Sequence, residues 1–379
     1  MRRESILPRP DWQAKVEKLG LLFHQNPDGP YWQESAYYCL SGEEVTTLES
    51  ATNELHERCL DAVQHVIDHD RFEDLRISEA AVPWIKQSWD ADPPAIYGRF
   101  DLAFDGIHPP KLLEYNADTP TSLLEAAVIQ WHWVQEVFPD ADQFNSIWEG
   151  LVDKWADLKA EGCLPGNLVH FASVDSVEDY MTISALRDTA AEAGLYTDAL
   201  LMHQIGWDEK ERTFVDLHDR PIRSIFKLYP WEWLVEEAFS KPLFETYATT
   251  SWIEPIWKMI LSNKGILPIL WELFPDHPNL LECYFDEPRG LQEFAQKPLL
   301  GREGANIHIS TKLGEWDSSG DYTGQRQVFQ QYVELPQFDD SNALIGSWVI
   351  DGVARGIGIR ESEGPITTNL SRFVPHIFG

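Results

Sequence analysis

The amino-acid sequence predicts a mixed α+β / α/β fold with interleaved subdomains. A strand, helix, strand order in the middle of the chain predicts an α/β layer, and the last third is rich in strand patterns. The chain has 379 residues, of which 43% are hydrophobic, so two or three well-packed subdomains are expected. No repeat or long linker separates them, and the boundaries drawn below are therefore soft.

Residues 1–95 are predicted to form an N-terminal, mainly helical region. Ser41 and Glu44 have the spacing of a capping box, and apolar residues recur at helical intervals in the segment SGEEVTTLESATNELHERCLDAVQHVID. The next segments, AIYGRFDLAFDG and PKLLEYNAD, are typical of two strands joined by a turn rich in glycine and proline. A helix through TSLLEAAVIQWHWVQEVF follows.

Residues 96–250 are predicted to form an α/β region, and residues 251–379 a region richer in strands. NLVHFAS, VEDYMTISALRDTAAEAG and YTDALLMHQI give the strand, helix, strand order, and TFVDLHDRPIRSIFKLYPW indicates a hairpin of two strands. Further strands are predicted in EFAQKPLL, ANIHIS, VFQQYVEL and NALIGSWVIDGVARGIGIRES. Within the last segment, Asp351 and Gly352 are a strong signal for a type I′ turn.

Charge and cysteine usage narrow the range of partners. The 62 acidic and 30 basic residues give a formal net charge of −32, which disfavours nucleic acid and anionic membranes and favours cations such as metals or polyamines. The four cysteines are scattered without CxxC or metal-ligand spacing, as is typical of a cytoplasmic protein. Neither a signal peptide nor an apolar run of about 18 residues is found, so no membrane span is expected.

Four polar side chains of the first predicted hairpin are the main chemical candidates. Arg99 and Asp101 share one face of a strand, and so do Glu114 and Asn116, because alternate strand residues point the same way. If the strands pair, three oxygen ligands suited to Mg²⁺ lie beside a guanidinium. For any of these residues alone, the solvated face of a hairpin is the alternative. However, adjacent leucines before Glu114 indicate a strand covered on both faces, where acids need partners.

Two lysines and a glycine loop are candidate phosphate-binding groups. Lys264 precedes an apolar helix, although a surface lysine is the alternative there. Lys297 ends a predicted strand, and the loop that follows contains Gly301 and Gly304. This layout suits a flexible cover whose amides approach phosphates, with the lysine as a point charge. A plain hairpin turn is the alternative, and the order of a Walker A motif is absent.

A third group of candidates lies in VFQQYVELPQF and WVIDGVARGIGIRES. The first segment could offer backbone groups and an apolar wall to an adenine, and either Arg355 or Arg360 could hold an anion. A core strand with its hairpin neighbour is the alternative. Other catalytic schemes are disfavoured: the sequence has no GxSxG elbow and no HExxH pattern, and nothing separates an acid from a base in the pair Asp101 and Glu114.

Together these segments resemble the glutathionylspermidine synthase family. The resemblance is carried by YGRFDLAFDG, PKLLEYNADTPTSLLEAAVIQWHW, FKLYPWEWL, NKGILPILWELFP, KPLLGREGANI and TTNLSRFVPHIF, from about residue 97 to the C-terminus. It implies an ATP-grasp fold, with substrate and metal groups in residues 96–250, a pre-ATP-grasp-like region, and nucleotide binding in residues 251–379. It also implies a short acid–amine ligase without the amidase domain of bifunctional members.

The resemblance implies a role for each candidate. The roles are magnesium ligation by Asp101, Glu114 and Asn116; phosphate binding by Lys264 and Lys297 under the loop of Gly301 and Gly304; catalysis and ATP contact by Arg99; acid-substrate binding by Thr119 and Thr121; and adenine contact near Glu334 and Leu335. Arg355 is added as a substrate-binding residue from its predicted position. Mg²⁺ and ATP are therefore the expected cofactor and co-substrate.

The expected reaction joins a peptide or glutathione-like acid to an amine, with a polyamine as one candidate, through an acyl phosphate. Pro120 and the threonines of NADTPTS depart from the serine-containing pattern of glutathione-binding members, so the identity of the acid stays open. The alternative function is a non-catalytic nucleotide- or polyamine-binding protein on the same scaffold. The oligomeric state is not predicted.

Overall fold

The computed structural model describes residues 1–26, 29–247 and 249–379. The helices are α1 (Trp12–Lys18), α2 (Gly42–Asp68), α3 (Val82–Ala91), α4 (Gln130–Val137), α5 (Ile147–Ala160), α6 (Val177–Glu192), α7 (Trp231–Leu234), α8 (Ser240–Thr246) and α9 (Ile266–Leu273). A π-helical turn, Glu125–Ile129, leads into α4. Within these described ranges, no helix has both the length and the apolar composition that are needed to cross a membrane.

The strands alternate with these helices in the first two thirds of the chain and dominate the last third. They are β1 (Arg2–Ser5), β2 (Gln25–Asn26), β3 (Gly29–Pro30), β4 (Ala36–Leu40), β5 (Tyr97–Ala103), β6 (Lys111–Asn116), β7 (Leu168–Ser173), β8 (Tyr196–Leu201), β9 (Gly206–Asp208), β10 (Thr213–Val215), β11 (Ser224–Leu228), β12 (Ser251–Ile253), β13 (Cys283–Phe285), β14 (Phe294–Pro298), β15 (His308–Thr311), β16 (Gly314–Asp317), β17 (Gln327–Gln331), β18 (Gln337–Phe338), β19 (Ser341–Ile350), β20 (Val353–Ser362), β21 (Arg372–Val374) and β22 (His376–Phe378).

A six-stranded antiparallel sheet forms the centre of the molecule. Its order is β21-β20-β19-β5-β6, and β18 pairs with β19. Strands β5 and β6 lie before residue 250 and the others after it, so this sheet joins the two regions that the sequence analysis separates there. All seven residues of β5 are buried, as expected for a strand covered on both faces.

Helices cover both faces of this central sheet. On one face α2 packs against β19, where the Thr52 and Ser347 hydroxyls lie 2.7 Å apart. Helix α2 begins with the predicted capping box, because the Ser41 hydroxyl accepts from the Glu44 N–H at 3.2 Å and the Glu44 carboxylate accepts from the Ser41 N–H at 2.8 Å. The other face carries α5 and a core that includes Trp155.

Two further sheets flank the central one. The first is parallel, with the order β12-β11-β7-β8, and α6 connects β7 to β8 as the strand, helix, strand pattern predicted. The second is antiparallel, with the order β13-β17-β14-β15-β16. Strands β1, β4 and β22 form a small sheet that brings the two ends of the chain together.

The structure confirms one predicted hairpin and corrects another. Asp351 and Gly352 have φ values of 51° and 73°, the positive pair that a type I′ turn requires. The hairpin predicted in TFVDLHDRPIRSIFKLYPW is wrong: β10 pairs with β9, and β11 lies parallel to β7 and β12. All five residues of β11 are buried, and a covered parallel sheet buries such a strand better than a two-stranded ribbon does.

Candidate active site

A cavity of about 620 Å³ lies where the three large sheets meet. Its walls come from β5, β6 and β20 of the central sheet, from the segments that follow β7 and β11 of the parallel sheet, and from β14, β15 and β17 of the antiparallel sheet. The cavity therefore collects side chains that lie far apart in the sequence. Those that the sequence analysis singled out and that line it are Arg99, Asp101, Glu114, Asn116, Thr119, Thr121, Lys297, Gly304, Leu335 and Arg360.

Strands β5 and β6 bring the four hairpin residues together in the predicted arrangement. Arg99 lies opposite Asn116, and Asp101 lies opposite Glu114. The Arg99 guanidinium donates to both Asp101 oxygens, from Nε to Oδ1 at 2.7 Å and from NH2 to Oδ2 at 3.2 Å. This charge-assisted fork fixes the Asp101 carboxylate and the Arg99 side chain in one plane.

Gly346 of β19 makes room for the buried Arg99 side chain. A Cβ atom at Gly346 would lie 2.9 Å from Arg99 Cδ, closer than real Cβ contacts allow. The guanidinium also lies 5.8 Å from the centre of the Trp348 ring, and its NH1 donates to the Thr121 carbonyl at 2.8 Å. The Arg99 side chain is thus packed against Gly346 and the Trp348 ring, and all three of its guanidinium nitrogens are hydrogen-bonded. It therefore has little freedom to move.

Glu114 is surrounded by cationic and amide groups. Lys264 Nζ lies 2.8 Å from Glu114 Oε2, and Asn116 Nδ2 donates to Glu114 Oε1 at 3.0 Å. Burial alone would raise the pKa of Glu114, but Lys264, and then Lys297, lower that pKa to about 2. Glu114 is therefore a carboxylate at neutral pH.

The two predicted phosphate lysines sit on either side of Glu114 in different elements. Lys264 precedes α9 and also donates to the Gly301 carbonyl at 2.6 Å, while Lys297 on β14 donates to Gln330 Oε1 at 2.7 Å and to the Leu113 carbonyl at 3.1 Å. Burial lowers the pKa of Lys297 to about 8, partly opposed by the Glu114 carboxylate. Lys264 does not itself line the cavity, but its contact with Glu114 places it directly behind the wall.

The glycine loop between β14 and β15 closes one side of the cavity. Gly304 has a φ of 74°, and a Cβ there would lie 2.5 Å from the Thr367 carbonyl oxygen. Glycine is therefore required for the loop to approach the segment around residue 367. Within the same loop, Arg302 donates to the Thr119 hydroxyl at 2.8 Å and to Glu232 at 2.7 Å. These two bonds attach the loop to both neighbouring sheets.

The loop that follows β6 carries Thr119 and Thr121 and is anchored at its base. Asp118 is fully buried, and it accepts from Lys227 Nζ at 2.6 Å and from the Trp231 N–H at 3.0 Å. Lys227 is itself fully buried at the end of β11. This ion pair joins the loop after β6 to the parallel sheet, a contact between distant segments that neither residue's local sequence indicates.

Four of the predicted site residues do not line the cavity: Lys264, Gly301, Glu334 and Arg355. Lys264 and Gly301 lie behind the wall, where the lysine donates to the Gly301 carbonyl. Glu334 is exposed and lies between lining residues, although its neighbour Leu335 does line the wall. Arg355 is the extra residue at the bulge where β20 pairs with β19, and it packs against Gly150 of α5 instead. Arg360, the other arginine considered, lines the cavity and lies 3.4 Å from Asp101.

Other lining residues were missed by the sequence reasoning. Glu178 and Asp179 open helix α6 just after β7, and Glu303 belongs to the glycine loop. Burial, together with the charges of Glu178 and Glu303, raises the pKa of Asp179 to about 6. Their position after a strand of the parallel sheet is the signal that could have identified them, since ligands bind at the carboxyl ends of such strands.

An apolar pocket lies beside these charged groups. Leu335 and Leu344 form a small buried cluster with Ala103, and partly buried Leu113 and Val333 pack against it. Leu335, Leu344, Leu113 and Val333 all line the cavity. These apolar side chains provide a wall of the kind against which a heterocycle can pack.

The oxygen ligands at this site fit Mg²⁺ by their chemistry. Asp101 and Glu114 are cross-strand neighbours in one cavity, and Asn116 adds an amide oxygen to the two carboxylates. Mg²⁺ prefers one or two carboxylates together with phosphates and water. In the part of the chain that the structure describes, no cluster of three or more His, Cys, Asp or Glu side chains could hold a metal by protein ligands alone. By the chemistry of their oxygens, Asp101, Glu114 and Asn116 fit an ion that takes its other ligands from phosphates and water.

A mixed α/β fold with oxygen ligands, lysines and a glycine loop around one cavity is typical of enzymes that bind nucleotides with Mg²⁺. The chain belongs to the glutathionylspermidine synthase family: the family model described as "Glutathionylspermidine synthase preATP-grasp" matches residues 3–379. The resemblance inferred from the sequence is confirmed, and the match begins about 90 residues earlier than the predicted start near residue 97.

Three curated relatives show which proteins the chain is similar to. It is 40% identical over 396 residues to the "Putative acid--amine ligase" of Haemophilus influenzae, covering 100% of both chains. It is 30% identical to the trypanothione synthetase of Crithidia fasciculata, covering 83% of this chain and 52% of that one. It is 27% identical to the bifunctional glutathionylspermidine synthetase/amidase of Escherichia coli, covering 96% of this chain and 61% of that one.

These relatives place the chain among acid–amine ligases. The chain spans between half and two thirds of the length of the trypanothione synthetase and of the bifunctional enzyme. The ATP-grasp-like fold class predicted from the sequence agrees with the description of the family model and with the mixed sheets and helices of the structure.

Proposed function

We propose that this protein is an ATP- and Mg²⁺-dependent ligase that activates a carboxylate as an acyl phosphate and transfers the acyl group to an amine. The acid is a peptide or a glutathione-like molecule, and the amine is a cation such as a polyamine. The observation that carries the proposal is the cross-strand pairing of Arg99 and Asp101 with Asn116 and Glu114 inside one cavity.

The first step needs cations around the transferred phosphoryl group. The acid's carboxylate oxygen would attack the γ-phosphorus of ATP, the bond to the β-phosphate oxygen would break, and ADP would leave. Asp101, Glu114 and Asn116 would hold Mg²⁺, which supplies charge neutralisation between the phosphates when bound. Arg99, fixed by Asp101 and Gly346, would stabilise charge on the transferred group, because a preorganised donor loses no free energy by reorienting during the step.

Lys264 and Lys297 would bind the phosphates as ADP forms. At present Lys264 contacts Glu114, and Lys297 contacts a glutamine and a backbone carbonyl. When Glu114 serves as a metal ligand, its ion pair with Lys264 would be released, and Lys264 would be available to bind a phosphate. The adenine would then lie in the apolar pocket formed by Leu335, Leu344 and their neighbours.

The second step needs an amine near the acyl phosphate and little water. The neutral amine would attack the acyl carbon, the phosphate would leave with its bridging oxygen, and the amine would lose a proton. Glu178, Asp179 and Glu303 line the same cavity, and their charges favour a cationic amine. The loop held by Arg302 would cover the acyl phosphate, which water otherwise hydrolyses.

A substrate panel tests this proposal directly. Protein and Mg-ATP are mixed with glutathione and related peptides, each with and without polyamines, and ADP release and product mass are measured. At least one acid and amine pair should stimulate ADP release and give a product of the amide mass. ATP binding without stimulated ADP release across the panel would contradict the ligase and favour the non-catalytic nucleotide- or polyamine-binding alternative.

The variant Glu114→Gln tests the assignment of the metal site. It removes one charged ligand, so turnover should fall by about a hundredfold or more while the protein stays folded. Glu315→Gln, on the exposed strand β16, is the matched control and should keep wild-type turnover. Equal turnover in both variants would remove Glu114 from the mechanism.

A further inference from the structure

The loop of residues 119–122 ends in a conformation that its neighbours must hold in place. Ser122 has a φ of 64°, in the left-handed region that residues other than glycine rarely adopt, and it is 5% exposed. Such a conformation persists only where surrounding contacts fix it. Three of those contacts are already described or adjacent to the cavity: Arg302 to Thr119, Arg99 to Thr121, and Tyr97 Oη to the Pro120 carbonyl at 3.1 Å.

The fourth contact lies beneath the loop and away from the cavity. Tyr31 O–H donates to Glu125 Oε1 at 2.7 Å, and the Tyr31 oxygen lies 3.4 Å from Ser122 Oγ. Tyrosine has one hydroxyl proton, and since it goes to Glu125, the Ser122 hydroxyl is the donor to Tyr31. A chain of hydrogen bonds therefore runs from Ser122 through Tyr31 to Glu125, and each of the three residues is buried.

Backbone geometry places Glu125 under the loop. Glu125 begins the π-helical turn Glu125–Ile129, and the N–H of the following Ala126 donates to the Ser122 carbonyl at 3.3 Å. A π-helical turn carries an extra residue per turn and is found mostly at functional sites. At the start of this turn, the Glu125 side chain meets Tyr31 of the N-terminal segment.

The N-terminal segment that carries Tyr31 also reaches the cavity. The Tyr31 carbonyl accepts from the Phe373 N–H at 2.7 Å, which attaches this segment to the central sheet. Phe23 packs against the Tyr31 ring with 5.2 Å between ring centres, and Phe23 itself lines the cavity. The N-terminal region therefore lines the cavity with Phe23 and contacts the loop from below through Tyr31.

We propose that Tyr31 and Glu125 are positioning residues for the acid substrate: they hold loop 119–122 in the conformation in which Thr119 and Thr121 receive it. The inference rests on the proposed function, in which that loop binds the acid. Neither side chain lines the cavity in the part of the chain that the structure describes. Their loss should therefore weaken the binding of the acid and leave the phosphoryl transfer itself unchanged.

Substitutions of Glu125 can separate the effect of its hydrogen bond with Tyr31 from the effect of its ionisation. Tyr31 faces Glu125 directly, and Glu178 of α6 and Arg360 of β20 act on it by charge. Glu125→Gln keeps an oxygen that accepts from Tyr31 but does not ionise, whereas Glu125→Ala removes the acceptor. Tyr31→Phe keeps the ring against Phe23 and removes only the hydroxyl.

The experiment uses the full chain and two readouts. Hydrogen–deuterium exchange of the peptide that covers residues 118–126 is measured without any ligand, and KM values are measured with the acid that the substrate panel identifies. In Tyr31→Phe, exchange in this peptide should become about tenfold faster and the KM for the acid should rise about tenfold, the effect of one lost buried hydrogen bond. The KM for ATP and kcat should stay within about twofold.

Matched variants complete the design. Tyr37→Phe is the control, since the Tyr37 ring packs on Trp133 and Phe138 and the described residues show no hydrogen bond from its hydroxyl. It should change neither readout. Glu125→Gln should keep exchange and KM near wild type, while Glu125→Ala should behave like Tyr31→Phe. Thermal denaturation of every variant shows whether it folds.

Two results would overturn the inference. The first is wild-type exchange at residues 118–126 in both Tyr31→Phe and Glu125→Ala. The second is a fall in kcat together with an equal rise in both KM values, which indicates a general loosening of the protein. A wild-type protein that releases no ADP with any acid refutes the proposed function separately, and the exchange measurement still decides whether Tyr31 and Glu125 hold the loop.

Discussion

Replacing Gly346 by alanine should disable the site although no charged residue is substituted. The new Cβ would lie 2.9 Å from Arg99 Cδ and 3.4 Å from its Nε. The side chain cannot simply swing away, because Asp101 holds its Nε at 2.7 Å and the Thr121 carbonyl holds its NH1 at 2.8 Å. Relief of the clash must therefore break at least one of these bonds.

The size of the effect follows from the two consequences of the clash. Overpacking a buried position costs about 1 to 3 kcal/mol of stability. Displacing a preorganised cationic donor from a phosphoryl-transfer site costs about 100- to 1,000-fold in kcat. ATP binding should change little, since Lys264 and Lys297 lie on other elements.

Gly358→Ala provides the matched control for this prediction. Gly358 lies opposite Gly346 in the same strand pair, and a Cβ there would lie 2.7 Å from the Phe373 ring instead of the Arg99 side chain. Both variants should lose similar stability in thermal denaturation, but only Gly346→Ala should lose ADP release with the acid and amine of the panel. Wild-type kcat in a folded Gly346→Ala protein would refute the role given to Arg99.

Three further predictions test other parts of the structure. Because burial lowers the pKa of Lys297 to about 8, its charge is lost as pH rises through that value, so the Kd for ATP, measured by calorimetry, should increase above pH 8 in the wild type and lose this pH dependence in Lys297→Met. Lys227→Met leaves the Asp118 carboxylate buried without its ion pair, and should lower the free energy of unfolding by about 3 to 5 kcal/mol in urea titrations; a change below about 1 kcal/mol would contradict the ion pair. Burial raises the pKa of Glu125 to about 7 from 4.5, so this group stabilises the fold fully below pH 4.5 and loses that contribution as pH rises to about 7. The free energy of unfolding of the wild type relative to Glu125→Gln should therefore fall by about 3 kcal/mol over that range. A difference that stays constant with pH would refute the raised pKa.

The local parts of the site follow from the sequence because short-range geometry determines them. Strands β5 and β6 are neighbours in the chain, so strand alternation puts Asp101 and Glu114 on the same face of the hairpin once the two strands pair in the observed register. The capping box at Ser41 and the type I′ turn at Asp351 are equally local. Each of these features needs only a few consecutive residues to be recognised.

The remaining features depend on contacts between distant segments. Of the two arginines of β20, only Arg360 lines the cavity, and a bulge at Arg355 interrupts the pairing with β19. No local pattern in the sequence marks that bulge. Strand β11 pairs with β7, which lies more than 50 residues away, and not with its neighbour in the chain, β10. Glu178 joins the site only because the parallel sheet ends at the central sheet. Tertiary packing determines these positions, and the local patterns of one sequence carry no information about that packing.

The most direct test of the central claim follows the oxygen atoms of the acid. The acid that stimulates ADP release is labelled with ¹⁸O in its carboxylate and incubated with ATP, Mg²⁺ and the amine. If an acyl phosphate forms, one labelled oxygen per amide must pass into inorganic phosphate, because it bridges carbon and phosphorus before the amine displaces it. Mass spectrometry of the phosphate should therefore show one ¹⁸O for each amide formed. Unlabelled phosphate alongside amide product would contradict the mechanism.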